Sequence, residues 1–234
     1  MIDTLMLFAA GLGNRMRHLT KNNPKALVQV LDKPVLHYTL ELTKLYPFKH
    51  IVINTHYMHQ DIKNSLKQFQ KIHSELPKIT FIYEKEFLET GGAIKNASSV
   101  LGNEPIFALN TDVILRPEYD IFSEMIDRWD QKKMDFLLLM QKYENIVGYH
   151  GYGDFDLDNE NKLVREDKEG HYDYIFTGLQ ILKPYQIAKH PLKIFSLKEY
   201  YLNSQKVRGI KAKNLKWYYI KSPEDLVDIE MDML

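Results

Sequence analysis

The sequence predicts an α/β fold: an open, mostly parallel sheet with helices on both faces, and an extra β-hairpin lid in the second half. Three observations carry this. Short apolar runs recur through the first ~145 residues, they show little alternation, and amphipathic stretches of helical period lie between them. Strands covered on both faces read as continuous apolar runs, and a strand–helix alternation is the pattern of parallel pairing.

Taken in order, Thr4–Ala9, His50–Thr55, Thr80–Glu84, Pro105–Asn110 and Asp135–Gln141 are the predicted strands, rich in Ile, Val, Leu and Phe. Pro34–Leu45, His59–His73, Gly92–Leu101 and Tyr119–Lys132 are the predicted helices; in the first, Val35, Leu36, Leu40 and Leu45 follow a helical stripe. After Tyr143 the texture changes. "YGDFDLDNENKLVRE" reads as a hairpin turning on Asp-Asn-Glu-Asn, and Tyr172–Leu182 as a strand stopped by Lys183-Pro184. "VRGIKA" and "LKWYYI" read as a strand pair around Asn214. The chain closes on a helix with Ser222 as N-cap, Pro223 at its first position and acids in its first turn. No linker or repeat interrupts 1–234, so one domain is expected, with a core over 1–145 and an added part over 146–234.

Composition removes several function classes. Lys+Arg and Asp+Glu both total 31, so neither a nucleic acid nor a membrane surface is an expected partner. The absence of cysteine removes disulfides, thiolate catalysis and Cys-based zinc sites. No run of about 18 apolar residues suggests a span, and Asp3 sits where a secretory signal would be basic. A cytoplasmic globular protein, monomer or homodimer, is expected.

Three segments with unusual chemistry follow strands, where open parallel sheets place their ligands. In "FAAGLGNRMRHLTKNNPKAL", Gly11 and Gly13 permit close approach of backbone N–H groups to an anion, Arg15 and Arg17 follow, and Lys25 returns after a Pro-terminated loop. Such a set suits a triphosphate; a glycine turn with an exposed basic loop is the alternative. The spacing matches neither G-x-x-x-x-G-K-[ST] nor G-x-G-x-x-G, which argues against a dinucleotide oxidoreductase. In "ALNTDVI" an apolar strand delivers Asp112 to its end, either as a Mg²⁺ ligand or as a turn Asp. In "EKEFLETGGAIKNA", Thr90-Gly91-Gly92 lets the backbone lie against a planar base and offer N–H and C=O groups, or simply turns the chain from strand to helix.

Together these segments resemble the sugar-phosphate nucleotidyltransferase family, whose opening motif A-x-G-x-G-x-R-[ML]-x-P-L-T…P-K reads here "AAGLGNRMRHLT…NPKALVQVLDKPVL". "INTHYMHQDI", "ETGGAIKNA", "NTDVI", "GDFDLD", "FTGLQIL", "FSLKEYYL" and "SPEDL" follow in the family's order. The sequence is most similar to the N-acetylmuramate 1-phosphate uridylyltransferase branch, and "TGGAIKNA" is also similar to heptose 1-phosphate guanylyltransferases. The resemblance implies a Rossmann-like fold and in-line attack by a sugar 1-phosphate on the α-phosphate of a nucleoside triphosphate, UTP favoured. It implies Ala9, Ala10, Gly11, Gly13, Arg15, Lys25, Thr90, Gly91 and Asn110 around the nucleotide, with Arg15, Lys25 and Asp112 catalytic and Asp112 on Mg²⁺. For the sugar phosphate it implies Gly153, Asp154, Thr177 and Gly178; Lys168 in "REDKEG" matches a sugar-phosphate grip of longer relatives, an exposed hairpin lysine being the alternative.

Two positions depart from the family pattern. His18 stands for Pro, and "WYYIKSPEDL" aligns with W-x-D-[IV]-G-T-P, putting Tyr219 where a second metal-binding Asp is usual, Lys221 for Gly and Ser222 for Thr. A neutral phenol is a poor Mg²⁺ ligand. Mannose or heptose 1-phosphate guanylyl transfer and a catalytically impaired, nucleotide-sugar-binding regulator stay open beside the uridylyl reading.

Overall fold

A computed structural model describes residues 2–142, 146–147, 149, 151–165 and 171–234. Seven strands build the central sheet: β1 (Thr4–Phe8), β2 (His50–Thr55), β3 (Lys78–Tyr83), β4 (Ile106–Asn110), β5 (Phe136–Lys142), β6 (Tyr174–Leu182) and β7 (Val207–Lys211). Their order is β7-β5-β6-β4-β1-β2-β3, and only β6 runs against its neighbours. The expected open, mostly parallel sheet is therefore what forms. Its strands alternate between two apolar layers: Leu5 and Leu7 face one core cluster and Met6 the other, as Leu137 and Leu139 oppose Phe136, Leu138 and Met140. Each such buried side chain contributes roughly 1.5–3 kcal/mol. This two-sided burial is why the strands read as unbroken apolar runs.

Register brings the functional segments together. Phe8 pairs with Asn54 on one side and with Asn110 on the other, so the chain leaves β1, β2 and β4 at one level. Thr55 pairs with Tyr83, which puts Glu84 on the same edge. The loops after these strands carry the residues singled out above.

The second half corrects one expectation. "VRGIKA" and "LKWYYI" do not pair with each other. Val207–Lys211 is the edge strand β7, parallel to β5, whereas Leu215–Tyr219 pairs with Val113–Pro117 and Ile146–Val147 in a separate three-stranded sheet. The reason is burial: Val207 and Ile210 cover the open side of β5, while Trp217 and Tyr218 are buried elsewhere and anchored through Trp217 Nε1–H to Thr177 O (3.0 Å) and Tyr218 O–H to Asp232 Oδ2 (2.7 Å). The hairpin does form, between Asp156–Leu157 and Leu163–Val164, with Asp158 Oδ1 accepting from Glu160 N–H and Lys162 N–H. It leans on β7, where Gly209 N–H donates to Asn161 O at 2.8 Å.

The final helix, Pro223–Met233, begins as expected. Ser222 caps it, and Asp225 reaches back to accept from Lys221 N–H and Ser222 N–H, completing a capping box. Among the described residues no helix is long and apolar enough to cross a membrane.

Candidate active site

The opening loop is shaped by its own small contacts. Gly13 has φ 66°, its carbonyl accepts from Thr20 Oγ1–H at 2.8 Å and from Met16 N–H, and the chain then coils through Asn14–Thr20 with Met16 fully buried as an anchor. A Cβ on Gly13 would meet Thr20 Cγ2 at 2.8 Å, so backbone conformation and space both require glycine. Gly11 is different. It is exposed with open space above its Cα, suited to a ligand's close approach.

The loop borders a cleft of about 150 Å³ lined by Phe8–Gly11, Lys25, Ala26, Asn54, Phe87, Glu89, Thr90 and Asn110–Asp112. Seven of the sequence-derived positions (Ala9, Ala10, Gly11, Lys25, Thr90, Asn110 and Asp112) thus converge on one cavity. Gly13 stands behind it as the hinge of the loop.

At its floor Lys25 Nζ donates to Asp112 Oδ2 at 2.7 Å, with only 11% of the lysine side chain and 25% of the aspartate side chain exposed. Asp112 Oδ1 is buried and has no hydrogen-bond partner. The Asp112 backbone is clamped: Ile220 N–H donates to its carbonyl at 3.0 Å, and Thr111 Oγ1–H donates to Phe8 O at 2.7 Å. One partly buried carboxylate with an unpartnered oxygen, lining the cleft, fits a Mg²⁺ ion, which needs only one or two protein carboxylates. Among the described residues no group of three His, Cys, Asp or Glu side chains offers an all-protein cage.

Tyr219 ties the two halves of the site together. Its ring stacks on Trp217 (centroids 5.6 Å, 7° between planes), and Lys25 Nζ lies 5.9 Å from its centroid. Burial, then the Asp112 and Asp154 charges, push its hydroxyl pKa up against the pull of an Arg15 hydrogen bond, so the phenol stays protonated at neutral pH. Arg15 is exposed and does not line the cleft, and Lys221 is exposed with its backbone N–H on Asp225.

In the second half, Gly153 (φ 80°) would collide with the Tyr172 backbone if it carried a Cβ, and Gly178 (φ 92°) packs on Asn110. Gly178 lies in an irregularity of β6 between Phe176 and Gln180. Bulges of this kind redirect side chains beside sites. Thr177 is fully buried; its hydroxyl donates to Leu139 O, so its side chain holds the bulge. Asp154 Oδ2 accepts from Phe176 N–H at 3.0 Å, and burial raises its pKa. Lys168 lies outside the described residues.

One expectation is corrected. Thr90-Gly91-Gly92 does not turn the chain into a helix; it lies inside the helix Glu89–Asn96. The N–H groups of Gly91 and Gly92 are not offered to a base, because Phe195 O accepts both (3.0 and 3.1 Å), while Thr90 Oγ1 accepts from Leu197 N–H. The glycines are there for packing: a Cβ on Gly91 would overlap the Phe195 ring, and one on Gly92 would overlap Lys193 O. Gly91→Ala should therefore lower stability by about 1–3 kcal/mol and displace Thr90 from the cleft. A denaturant midpoint unchanged from wild type would contradict this.

The residues that sequence reasoning missed are Asn54, Glu84 and Phe195. A signal existed for Asn54: a polar residue follows the apolar run Ile51–Ile53 one position before the strand ends, and in the fold it is 2% exposed.

The model of the family described as "Nucleotidyl transferase" matches residues 4–234. The chain belongs to that family. It is an enzyme of the nucleotidyl-transfer class, and its relatives act on sugar 1-phosphates. One is the N-acetylmuramate alpha-1-phosphate uridylyltransferase of Caulobacter vibrioides, 30% identical over 224 residues, which are 94% of this chain and 92% of the relative. Another is the mannose-1-phosphate guanylyltransferase catalytic subunit beta of Danio rerio, 26% identical over 95% of this chain and 62% of that protein. Among solved structures, HddC from Yersinia pseudotuberculosis complexed with GMP-PN superposes with a TM-score of 0.79 at 24% identity, covering both chains fully. That likeness establishes the shared fold.

Proposed function

We propose that this nucleotidyltransferase joins UTP to an N-acetylmuramate 1-phosphate-like sugar phosphate, releasing pyrophosphate. The observation that carries the reading is the convergence of Gly11, Lys25 and Asp112 on one cleft at the C-terminal sheet edge. The similarity to the Caulobacter enzyme over nearly the whole length of both chains supports the choice of substrates. Residues 1–145 would hold the nucleotide and 146–234 the sugar phosphate.

A phosphate oxygen of the sugar 1-phosphate attacks the α-phosphorus in line, the bond from Pα to the bridging oxygen breaks, and pyrophosphate leaves with the electron pair. No covalent enzyme intermediate is needed. Catalysis is then positioning and charge neutralisation. Gly11 brings the loop backbone against the phosphates, with Arg15 in the same loop. Lys25 exchanges the Asp112 carboxylate for the α-phosphate, whose charge grows in the transition state. Enzymes of this family generally use a divalent metal, and Mg²⁺ fits Asp112 here. Bound there, it would screen phosphate charge and assist the leaving pyrophosphate. Asp154, beside Gly153 and the Gly178 bulge, would face the sugar phosphate.

Pyrophosphate release over a panel of nucleotides and sugar phosphates tests the proposal. UTP with N-acetylmuramate 1-phosphate should be the fastest pair; GTP with mannose or heptose 1-phosphate would instead favour the guanylyl relatives. No turnover with any pair, from folded protein, would overturn the reading. Tyr219 supports a second one, a nucleotide-sugar-binding regulator, because its protonated phenol is a poor metal ligand. Tight UTP or UDP-sugar binding by calorimetry without pyrophosphate would favour that alternative.

A further inference from the structure

Glu84 is 1% exposed and bonded to Asn54, which lines the cleft. Its Oε1 accepts from Asn54 Nδ2–H at 2.8 Å, and Asn54 Oδ1 in turn accepts from Ala9 N–H at 3.0 Å. Its own backbone is pinned on both sides, since Glu84 N–H donates to Thr55 O and His56 Nδ1 pairs with Glu84 O, each at 2.8 Å. Oε2 is buried without a hydrogen-bond partner, and burial pushes the carboxyl pKa up against the opposing pull of the Asn54 hydrogen bond. Burying a carboxyl is costly unless it is used.

We infer that Glu84 is a positioning residue that sets the nucleotide wall of the cleft through Asn54. An amide side chain can present either its oxygen or its nitrogen, and its neighbours decide which. A carboxyl oxygen on one side claims the Asn54 nitrogen and turns the Asn54 oxygen toward Ala9 N–H. The Ala9 peptide is thereby locked, and the backbone donors that the loop can offer a ligand begin at Ala10. Glu84 thus governs affinity for the nucleoside triphosphate and leaves the sugar 1-phosphate subsite untouched. This rests on the cleft being the nucleotide site.

Glu84→Ala, Glu84→Gln and Asn54→Ala test it, with UTP and GTP binding by calorimetry and KM for each substrate. Losing the relay should weaken triphosphate binding about tenfold, as the loss of a buried hydrogen bond does, with the sugar-phosphate KM within about twofold. Glu84→Gln keeps an acceptor for Asn54 and should stay within about threefold of wild type. Asn54→Ala should match Glu84→Ala, and the double variant should be no worse than either. Triphosphate affinity unchanged in Glu84→Ala, equal loss for both substrates, or no rescue by Glu84→Gln would each overturn the inference. If the Glu84→Ala chain does not fold, loss in Asn54→Ala with retention in Glu84→Gln decides in favour, and the reverse decides against. A wild-type chain that binds neither triphosphate fails the functional reading; a wild-type chain that binds, with variants that follow it, fails only this inference.

Discussion

Asp112→Asn is expected to lower kcat by roughly 10²–10³-fold while the protein stays folded. The substitution keeps the size of the side chain and removes its charge. The backbone at this point is held by Ile220 N–H on Asp112 O and by the Thr111 hydroxyl on Phe8 O, neither of which depends on the carboxylate. Lys25 would lose an ionic partner in a largely buried pair but keep the amide oxygen as an acceptor, at a cost of about 1–3 kcal/mol that the melting curve reads. What disappears is the negative charge around the unpartnered Oδ1, where a divalent cation would bind. Circular dichroism and a melting curve establish folding; pyrophosphate release gives the rate. A wild-type rate in this variant would remove Asp112 from the chemistry.

Lys25→Ala is expected to cost a similar roughly 10²–10³-fold in kcat and to do something that a structural lysine would not. In the ligand-free protein Lys25 Nζ occupies Asp112 Oδ2 at 2.7 Å, so it competes with any cation for that carboxylate. Removing it should raise the affinity of the nucleotide-free protein for Mn²⁺, used as a probe for Mg²⁺, by about tenfold even as turnover falls. The two effects point in opposite directions, which separates them from partial unfolding. Unchanged Mn²⁺ affinity together with normal kcat would show that Lys25 serves only to hold the loop after Pro24.

Much of the scaffold was legible because two-sided burial leaves a plain trace: the apolar runs Leu5–Phe8, Ile51–Ile53 and Ile106–Leu109 each lie in a strand. The opening loop was legible for a local reason as well. Gly13 needs a positive φ and no Cβ, conditions visible as a glycine where the chain must coil back on Thr20. The expectation that Gly91 and Gly92 offer free N–H groups was corrected because their acceptor, Phe195 O, is brought in from a distant part of the chain. A glycine that yields space to a remote side chain looks, in one dimension, like a glycine that yields space to a ligand. The strands Val207–Lys211 and Leu215–Tyr219 misled for a related reason: adjacency in sequence suggests a hairpin, but each pairs with a strand distant in the chain, Phe136–Lys142 and Val113–Pro117.

The amino-acid sequence by itself determined the layered α/β architecture, the glycine loop and the Asp112 strand end, because hydrophobic periodicity and backbone permissiveness are local properties of the chain. Only the tertiary structure decided that Lys25 sits on Asp112, that the Tyr219 ring stacks on Trp217 with Lys25 Nζ near it, and that Glu84 holds Ala9 through Asn54. Those pairings depend on distances across strands far apart in the chain. They form because buried polar groups must find partners wherever packing has left them.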